Sequence, residues 1–142
     1  DTLRGGTGHD ILDGGAGNDI YIFAQGSGQD TISEYDYAGA DFDEVHFGAG
    51  IATDQLWFRQ VNNDLEVSTI GSGDKFLVSN WYYGSEYHVE QFKSSGGHML
   101  TDANVQNLVQ AMASFSPPAA GQTTLPSNYQ TSLATVIAAN WQ

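Results

Sequence analysis

The chain has 142 residues, of which 40% are hydrophobic and 12% aromatic, enough for one domain with a core. Seventeen acidic residues against four basic ones give a net charge of −13, which argues against nucleic acid or an anionic membrane surface as a partner. The absence of cysteine excludes disulfides and thiolate metal sites, and no apolar run is long enough for a transmembrane segment.

The acidic residues are unevenly distributed. Residues 1–54 hold 11 of the 17 acids, whereas residues 103–142 contain no Asp, Glu, Lys or Arg. A self-repelling acidic half is expected to stay loose or to collect counter-ions. Because the chain does not begin with Met, we expect upstream domains of the same polypeptide to precede it.

A nine-residue repeat occupies the N-terminal part of the chain. Residues 5–13 and 14–22 both read G-G-x-G-x-D-x-U-x, where U is a large apolar residue. Residues 1–4 are the end of a preceding copy, and residues 25–33 are a copy that has lost its first glycine. Two perfect copies in tandem disfavour the alternative of a glycine-rich turn region with solvated aspartates.

The residue types of the repeat favour calcium. Glycines allow tight turns that aim carbonyl oxygens inward, and calcium takes six to eight carboxylate and carbonyl oxygens. We expect two repeats to form one turn of a right-handed parallel β-roll, with an ion between Asp1 and Asp19 and another between Asp10 and Asp30. The predicted ligand positions in the repeats are Asp1, Gly5, Gly6, Thr7, Gly8, Asp10, Gly14, Gly15, Ala16, Gly17, Asp19, Gly26, Gly28 and Asp30.

The loops also predict that folding depends on the ion. Without metal, stacked carboxylates repel each other and the glycine-rich loops lose much entropy on ordering. We therefore expect the chain to stay unfolded in a low-calcium cytosol and to fold after export.

Residues 34–44 are dense in acid but do not match an EF-hand, since neither Asp36 nor Asp41 begins a loop with the required Gly and Glu. Either Asp36 or Asp43 closes the last calcium site, or the segment is a solvated loop. Asp43 is favoured because Asp43-x-Val45-x-Phe47 resembles the end of the repeat.

Residues 45–100 predict short strands separated by turns, one of them around Asn62-Asn63-Asp64. We expect an antiparallel β cap that covers the open end of the roll.

The order of these motifs resembles the haemolysin-type calcium-binding related region of RTX proteins over about residues 1–100. It runs from the G-G-x-G-x-D copies through Asp43-Glu44-Val45 and Asn63-Asp64-Leu65 to Asp74 and Asn80-Trp81. The resemblance implies a calcium-loaded β-roll in a bacterial toxin, adhesin or enzyme that leaves through the type I secretion machinery and is secreted or bound to the cell surface. The chain departs from the family in its few repeats and in Gln25, which replaces a glycine.

The uncharged tail predicts two helices. Apolar positions follow a helical period over residues 103–114, after Asp102 as N-cap, and again from Tyr129 to Trp141, after Ser127 as N-cap. The resemblance implies an uncleaved secretion signal in residues 123–142, while the alternative is a pair of helices packed on the cap.

No catalytic constellation is present, and we expect that the chain is not itself an enzyme. An alternative function is a carbohydrate-binding or adhesive module that uses exposed rings of Trp57, Trp81 and Tyr83, unless these rings form the core. The predicted fold is mainly β, with a calcium-binding roll in residues 1–33, an acidic connection in 34–44, the cap in 45–100 and the helical tail in 101–142.

Overall fold

The computed structural model describes residues 1–142, in which ten strands form two five-stranded sheets and two helices follow. The first sheet contains, in spatial order, β1 (Thr2–Leu3), β3 (Ile20–Phe23), β5 (Glu44–Phe47), β9 (Gln91–Lys93) and β10 (Met99–Thr101). The second sheet contains β2 (Ile11–Leu12), β4 (Gln29–Ile32), β8 (Lys75–Val78), β7 (Asp64–Thr69) and β6 (Leu56–Val61). The helices are α1 (Asp102–Met112) and α2 (Ser127–Asn140). A mainly β chain with two C-terminal helices is thus confirmed.

The strands of the repeats alternate between the two sheets. β1 pairs in parallel with β3, β2 with β4, and β3 with β5. Each short x-U-x segment therefore adds one strand to one sheet, and the next segment adds one to the other. Neither sheet closes on itself, since each has two edge strands.

Parallel pairing continues beyond residue 33, where the sequence places only antiparallel strands. β8 pairs in parallel with β4, and β9 pairs in parallel with β5. A parallel connection needs a dozen or more residues, and the segment that contains β6 and β7 contributes to this length both between β4 and β8 and between β5 and β9. Antiparallel pairing is limited to β6 with β7, β7 with β8, and β9 with β10.

The predicted turn at residues 62–64 is confirmed as the connection of the β6–β7 hairpin, in which Val61 is paired with Asp64. Asn62 has φ of 54° in this two-residue turn, a left-handed conformation that asparagine tolerates better than most residues.

The core lies between the two sheets. Alternate residues of β5 and β8 point inward, so that Val45, Phe47, Phe76 and Val78 are buried. The ring of Phe23 in the first sheet lies 5.0 Å from that of Phe76 in the second, edge to face. Such contacts hold the sheets together through burial of large apolar surfaces.

Both helices pack on this core. The buried residues of α1 are Val105, Leu108, Val109 and Met112. Leu133 and Ile137 of α2 are buried, and Trp141, which follows it, has its ring 6.2 Å from Phe47 and 6.3 Å from Phe58. Asp102 and Ser127, predicted as N-caps, are instead the first helical residues, a shift of one position that is common at helix ends. Neither helix has the length and apolar character needed to cross a membrane.

Candidate metal centre

Four acidic residues lie side by side on successive strands of the first sheet, each at the position just before its strand. The parallel register pairs Thr2 with Ile20, Ile20 with Glu44, and Glu44 with Gln91. One residue earlier, the same register aligns four residues that we call the acidic column: Asp1, Asp19, Asp43 and Glu90. The period of the repeat predicts the alignment of Asp1 with Asp19, and Asp43 joins them as the D-x-U-x pattern indicates.

The second sheet has a shorter series. Its register aligns Asp10 with Asp30, as predicted, but the position beside Asp30 on β8 is Phe76. Acidic residues therefore stop after two strands in the second sheet and continue over four in the first.

Each carboxylate after the first in its series contacts the backbone nitrogen of the preceding aspartate. Asp30 Oδ1 accepts from the Asp10 N–H at 3.1 Å, and Asp43 Oδ1 accepts from the Asp19 N–H at 2.8 Å. Glu90 Oε2 accepts from the Asp43 N–H at 2.7 Å, and the Asp1 nitrogen contacts Asp19 Oδ1. One oxygen of each carboxylate thus fixes the stacking of the strands.

Second carboxylate oxygens remain free at two of these residues. Asp10 Oδ2 and Asp19 Oδ2 are buried without a hydrogen-bond partner. A buried carboxylate oxygen with no donor is costly, and a bound cation is one way to satisfy it.

Glycine leaves the space that these carboxylates occupy. A Cβ atom on Gly14 would lie 2.3 Å from Asp19 Oδ2, and one on Gly5 would lie 2.8 Å from Asp10 Oδ2. The loops then turn through positive φ at Gly6 and Gly8, and at Gly15 and Gly17. Thr7 and Ala16 lie at the exposed tips of these loops. Because alanine has no side-chain oxygen, any ligand atom that Ala16 supplies is its backbone carbonyl.

The third loop is closed differently. The amides of Gly26 and Gly28 both donate to the carboxylate of Asp74 at 2.9 Å, and the Gln29 N–H donates to Gly8 O at 2.9 Å. Asp74 is far away in sequence, and its part in this loop is visible only in the fold. A carboxylate from the segment before β8 thus orders the loop that has lost its first glycine.

A group of three carboxylates lies at the boundary between the repeats and the connection. Oxygens of Asp19, Glu34 and Asp43 lie within 4.8 Å of one another, and all three residues are buried. The hydroxyl of Tyr21 donates to Glu34 Oε1 and accepts from the Gly14 N–H at 2.9 Å. The nonapeptide pattern does not identify Glu34, and the sequence signal that accompanies it is a tyrosine, with its hydroxyl, at the U position of the second full repeat.

Burial disfavours the ionised form of carboxylates in this group and so raises their pKa values. Burial raises the pKa of Glu34 to about 7, and the charges of Asp43 and Asp19 act in the same direction. Burial likewise raises the pKa of Asp43, although the Asp19 N–H opposes it. In the acidic column, burial raises the pKa of Glu90 to about 7. Carboxylates of this kind hold either protons or a cation.

Asp36 takes no part in the column. Its carboxylate accepts hydrogen bonds from the amides of Ala38, Gly39 and Asp41 at 3.0, 2.7 and 3.2 Å, and such backbone bonds hold its pKa below the usual value. Of the two aspartates proposed to close the last site, the structure therefore brings Asp43, and not Asp36, to the repeats.

The aromatic residues considered for carbohydrate binding separate into two groups. Trp57 and Trp81 are 2% and 4% exposed and belong to the core, so their rings are not available at the surface. Tyr83 is 66% exposed. It neighbours Tyr87, with ring centroids 6.4 Å apart.

The donor set fits calcium. It consists of carboxylate oxygens beside glycine loops that expose carbonyls, and oxygen ligands in flexible geometry are what calcium takes. None of the four Lys and Arg side chains forms an ion pair with a carboxylate of the column. The unpartnered oxygens of Asp10 and Asp19 are available as ligands to a cation, which would neutralise their charge.

Comparison with known proteins supports this chemistry. Residues 1–32 match the RTX calcium-binding nonapeptide repeat, and residues 64–104 match the haemolysin-type calcium binding protein related domain. The iron-regulated protein FrpA of Neisseria meningitidis serogroup C is 36% identical over 93 residues, which is 63% of this chain and 8% of that relative. The chain therefore spans a small part of the relative's length. The matched repeats identify Ca²⁺ as an ion that the chain binds.

Proposed function

We propose that this chain, which is an RTX calcium-binding protein, is the module of a larger exported protein that folds when it binds calcium outside the cell. The similarity to a small part of a long relative supports the view that other domains of the same polypeptide carry the rest of the function. The chain itself is proposed to have no enzymatic activity.

The observation that carries this proposal is the pair of buried, unpartnered oxygens at Asp10 Oδ2 and Asp19 Oδ2. In low calcium these groups and their stacked neighbours oppose folding, because a buried charge without a partner is costly. Calcium binding removes this cost, so that the free energy of binding becomes free energy of folding.

The alternation of parallel strands between two sheets supports a β-roll, in which loops two repeats apart lie next to each other. One ion is proposed between Asp1 and Asp19 and another between Asp10 and Asp30, with loop carbonyls completing each shell. The right-handed sense expected for such crossovers belongs to the same proposal.

Export is proposed to follow the type I route, with the folded module secreted or at the cell surface. Extracellular calcium modules commonly have dissociation constants of about 10⁻⁴–10⁻³ M, which lets the cytosolic chain stay loose and the exported chain fold. Residues 123–142 are proposed to act as the signal before α2 docks on the core, since Leu133 and Ile137 are buried once it has docked.

The proposal is tested by calorimetric titration of metal-stripped protein with calcium, with far-UV circular dichroism recorded at each step. We expect saturable binding of at least two ions together with a gain of strand signal. An equal strand signal without calcium would contradict the folding role, and an absence of binding at millimolar calcium would contradict the proposal as a whole. The variant Asp19→Ala is expected to weaken binding and lower the melting temperature in calcium, whereas Asp54→Ala, which removes an exposed acid outside the repeats, serves as the control.

A carbohydrate-binding or adhesive role is the second candidate, and one observation favours it. Tyr83 belongs to a group of tyrosines with Tyr35, Tyr37 and Tyr87, in which Tyr37 is 91% and Tyr35 51% exposed. Exposed rings offer stacking faces to sugars. Chemical-shift changes confined to these rings on addition of oligosaccharides would support this role, and unchanged spectra would contradict it.

A further inference from the structure

We propose that Asp19, Glu34 and Asp43 together bind a divalent cation, Ca²⁺, in the interior at the end of the repeats, with Glu34 as a ligand from outside the nonapeptide pattern. Both Glu34 and Asp43 lie outside the two segments that match calcium-binding families. The inference rests on the proposed calcium-dependent function and adds a ligand and a position to it.

The distances suit one ion. The three carboxylates each offer an oxygen within 4.8 Å of the other two. Calcium–oxygen distances are about 2.3–2.6 Å, so ligands on opposite sides of one calcium ion are about 4.6–5.2 Å apart. One oxygen from each of the three carboxylates can therefore reach the same calcium ion without a large movement of the backbone.

One carboxylate oxygen of this group has no hydrogen-bond partner. Asp19 is 1% exposed, and its Oδ2 has no hydrogen-bond partner. That atom lies against Gly14, where an added Cβ would come within 2.3 Å of it, and the Gly14 amide binds the Tyr21 hydroxyl that contacts Glu34. The unpartnered oxygen thus lies beside the glycine whose amide binds the same tyrosine hydroxyl as Glu34.

No Lys or Arg side chain neutralises the group, and the cation that contacts it is the N-terminal ammonium of Asp1, which pairs with Asp19 Oδ1. Arg59 and Lys75 both pair with Glu66 in the second sheet, and neither Arg4 nor Lys93 forms an ion pair with any acid. Three buried carboxylates without a basic side chain are strongly unfavourable when ionised. A divalent cation neutralises most of this charge and gives Asp19 Oδ2 a partner.

Tyr21, a residue of the second full repeat, positions Glu34, which lies outside the repeats. The U position of a nonapeptide normally needs only an apolar side chain, but the hydroxyl of Tyr21 reaches Glu34 and the Gly14 amide at once. It orients one oxygen of Glu34 and leaves the other for the ion. A proton shared between Glu34 and Asp43 is the competing occupant, and the experiment distinguishes the two.

The test is a calcium titration by calorimetry of the full chain and of Glu34→Gln, which keeps the shape of the side chain. We expect the variant to bind one ion fewer per chain, while its remaining sites keep their affinity within about threefold and its circular dichroism in saturating calcium is unchanged. The control Glu44→Gln removes one charge next to Asp43, from a residue that bonds to His46, and is expected to bind the full number of ions.

Glu34→Gln with the same number of ions and the same affinities would overturn the inference and favour the shared proton. If the unaltered chain bound no calcium, the proposed function itself would fail, which separates the two results. A further measurement needs no variant and covers the case in which Glu34→Gln does not fold. Crystals of the unaltered chain grown with Tb³⁺ are expected to show an anomalous peak about 2.5 Å from the Glu34 carboxylate, and peaks at the repeat loops without one at Glu34 would overturn the inference.

Discussion

The backbone N–H of Asp19 donates to Asp43 Oδ1 at 2.8 Å, although 24 residues separate them in the chain. The N–H of Asp43 in turn donates to Glu90 Oε2 at 2.7 Å. In this arrangement one carboxylate oxygen joins neighbouring strands, and the other is left for a different partner. One oxygen of each carboxylate thus has a structural role and the other a proposed metal-binding role. A mutation that keeps the first oxygen but removes the charge can separate the two roles.

We expect Asp43→Asn to keep the strand pairing and to lose calcium affinity. The amide oxygen of asparagine still accepts from the Asp19 N–H, but the charge is gone. A loss of at least about tenfold in affinity, or about 1.4 kcal/mol, is expected for the ion bound at Asp43, measured by calorimetry. Asp54→Asn removes an exposed acid and is the control. Identical titrations of the two variants would show that Asp43 is not a ligand.

Gly14→Ala tests the space beside Asp19. The added methyl group would lie 2.3 Å from Asp19 Oδ2, so the carboxylate or the loop must move. We expect a loss of about 1–3 kcal/mol in the free energy of unfolding, as for other overpacked sites, measured by urea denaturation in saturating calcium.

The control for this variant is Gly73→Ala, at a glycine where an added Cβ meets nothing within 4 Å. Stability of Gly14→Ala equal to that of Gly73→Ala would mean that the carboxylate of Asp19 is not held against the loop.

The metal-free protein is expected to lose stability as the pH rises. Burial raises the pKa of Glu34 and of Glu90 to about 7 from an ordinary value of 4.5, with added repulsion from Asp43 and, at Glu90, from Asp102. Because the folded chain holds these protons more tightly than the unfolded chain, their stabilising effect is complete below pH 4.5 and is lost as the pH rises through 7.

The far-UV circular dichroism of metal-stripped protein at pH 5 and pH 7.5 measures this effect, and we expect the weaker strand signal at pH 7.5. Millimolar calcium is expected to increase the strand signal more at pH 7.5, where the carboxylates are ionised. In Glu90→Gln the difference between the two pH values should shrink. A metal-free protein that is more stable at pH 7.5 would refute the assignment of buried protonated acids.

Trp141→Ala is expected to destabilise the fold by about 3–5 kcal/mol, as do other truncations of large buried side chains. The residue is 4% exposed and contacts the rings of Phe47 and Phe58. Trp141→Phe should cost less, because it keeps an aromatic ring and removes an indole N–H that is buried without a partner. Urea denaturation of both variants measures the difference, and equal stability of the alanine variant would mean that the end of the chain does not pack on the core.

The sequence predicts the part of the site that follows a fixed period. Asp1 with Asp19 and Asp10 with Asp30 are aligned by counting nonapeptides, and Asp43 is found because its D-x-U-x pattern survives the insertion before it. The apolar period of α1 and α2 likewise marks the helices and the residues that they bury.

Contacts between residues that are far apart in the chain could not be predicted from the sequence pattern. Glu90 reaches Asp43 across 47 residues and Asp74 reaches Gly26 across 48, after an inserted hairpin has interrupted the period. Glu34 lies outside the nonapeptide pattern, and its contact with Tyr21 and its proximity to Asp19 and Asp43 arise only in the fold. The same interruption hides the parallel pairing of β8 with β4 and of β9 with β5. A local sequence pattern shows that a segment is extended, but it does not show which strand the segment pairs with.

The contact between the rings of Phe47 and Trp141 has a consequence for how the chain folds. In an open solenoid each repeat touches only its neighbours, so that folding starts anywhere and propagates step by step. Here the core of the stacked strands is completed by the last helical segment of the chain, a contact of high sequence separation that forms slowly. Calcium can order the loops one pair at a time, but the apolar core is complete only when residues near Trp141 pack on it. We therefore expect two kinetic phases, ion binding to the N-terminal loops and cooperative formation of the core.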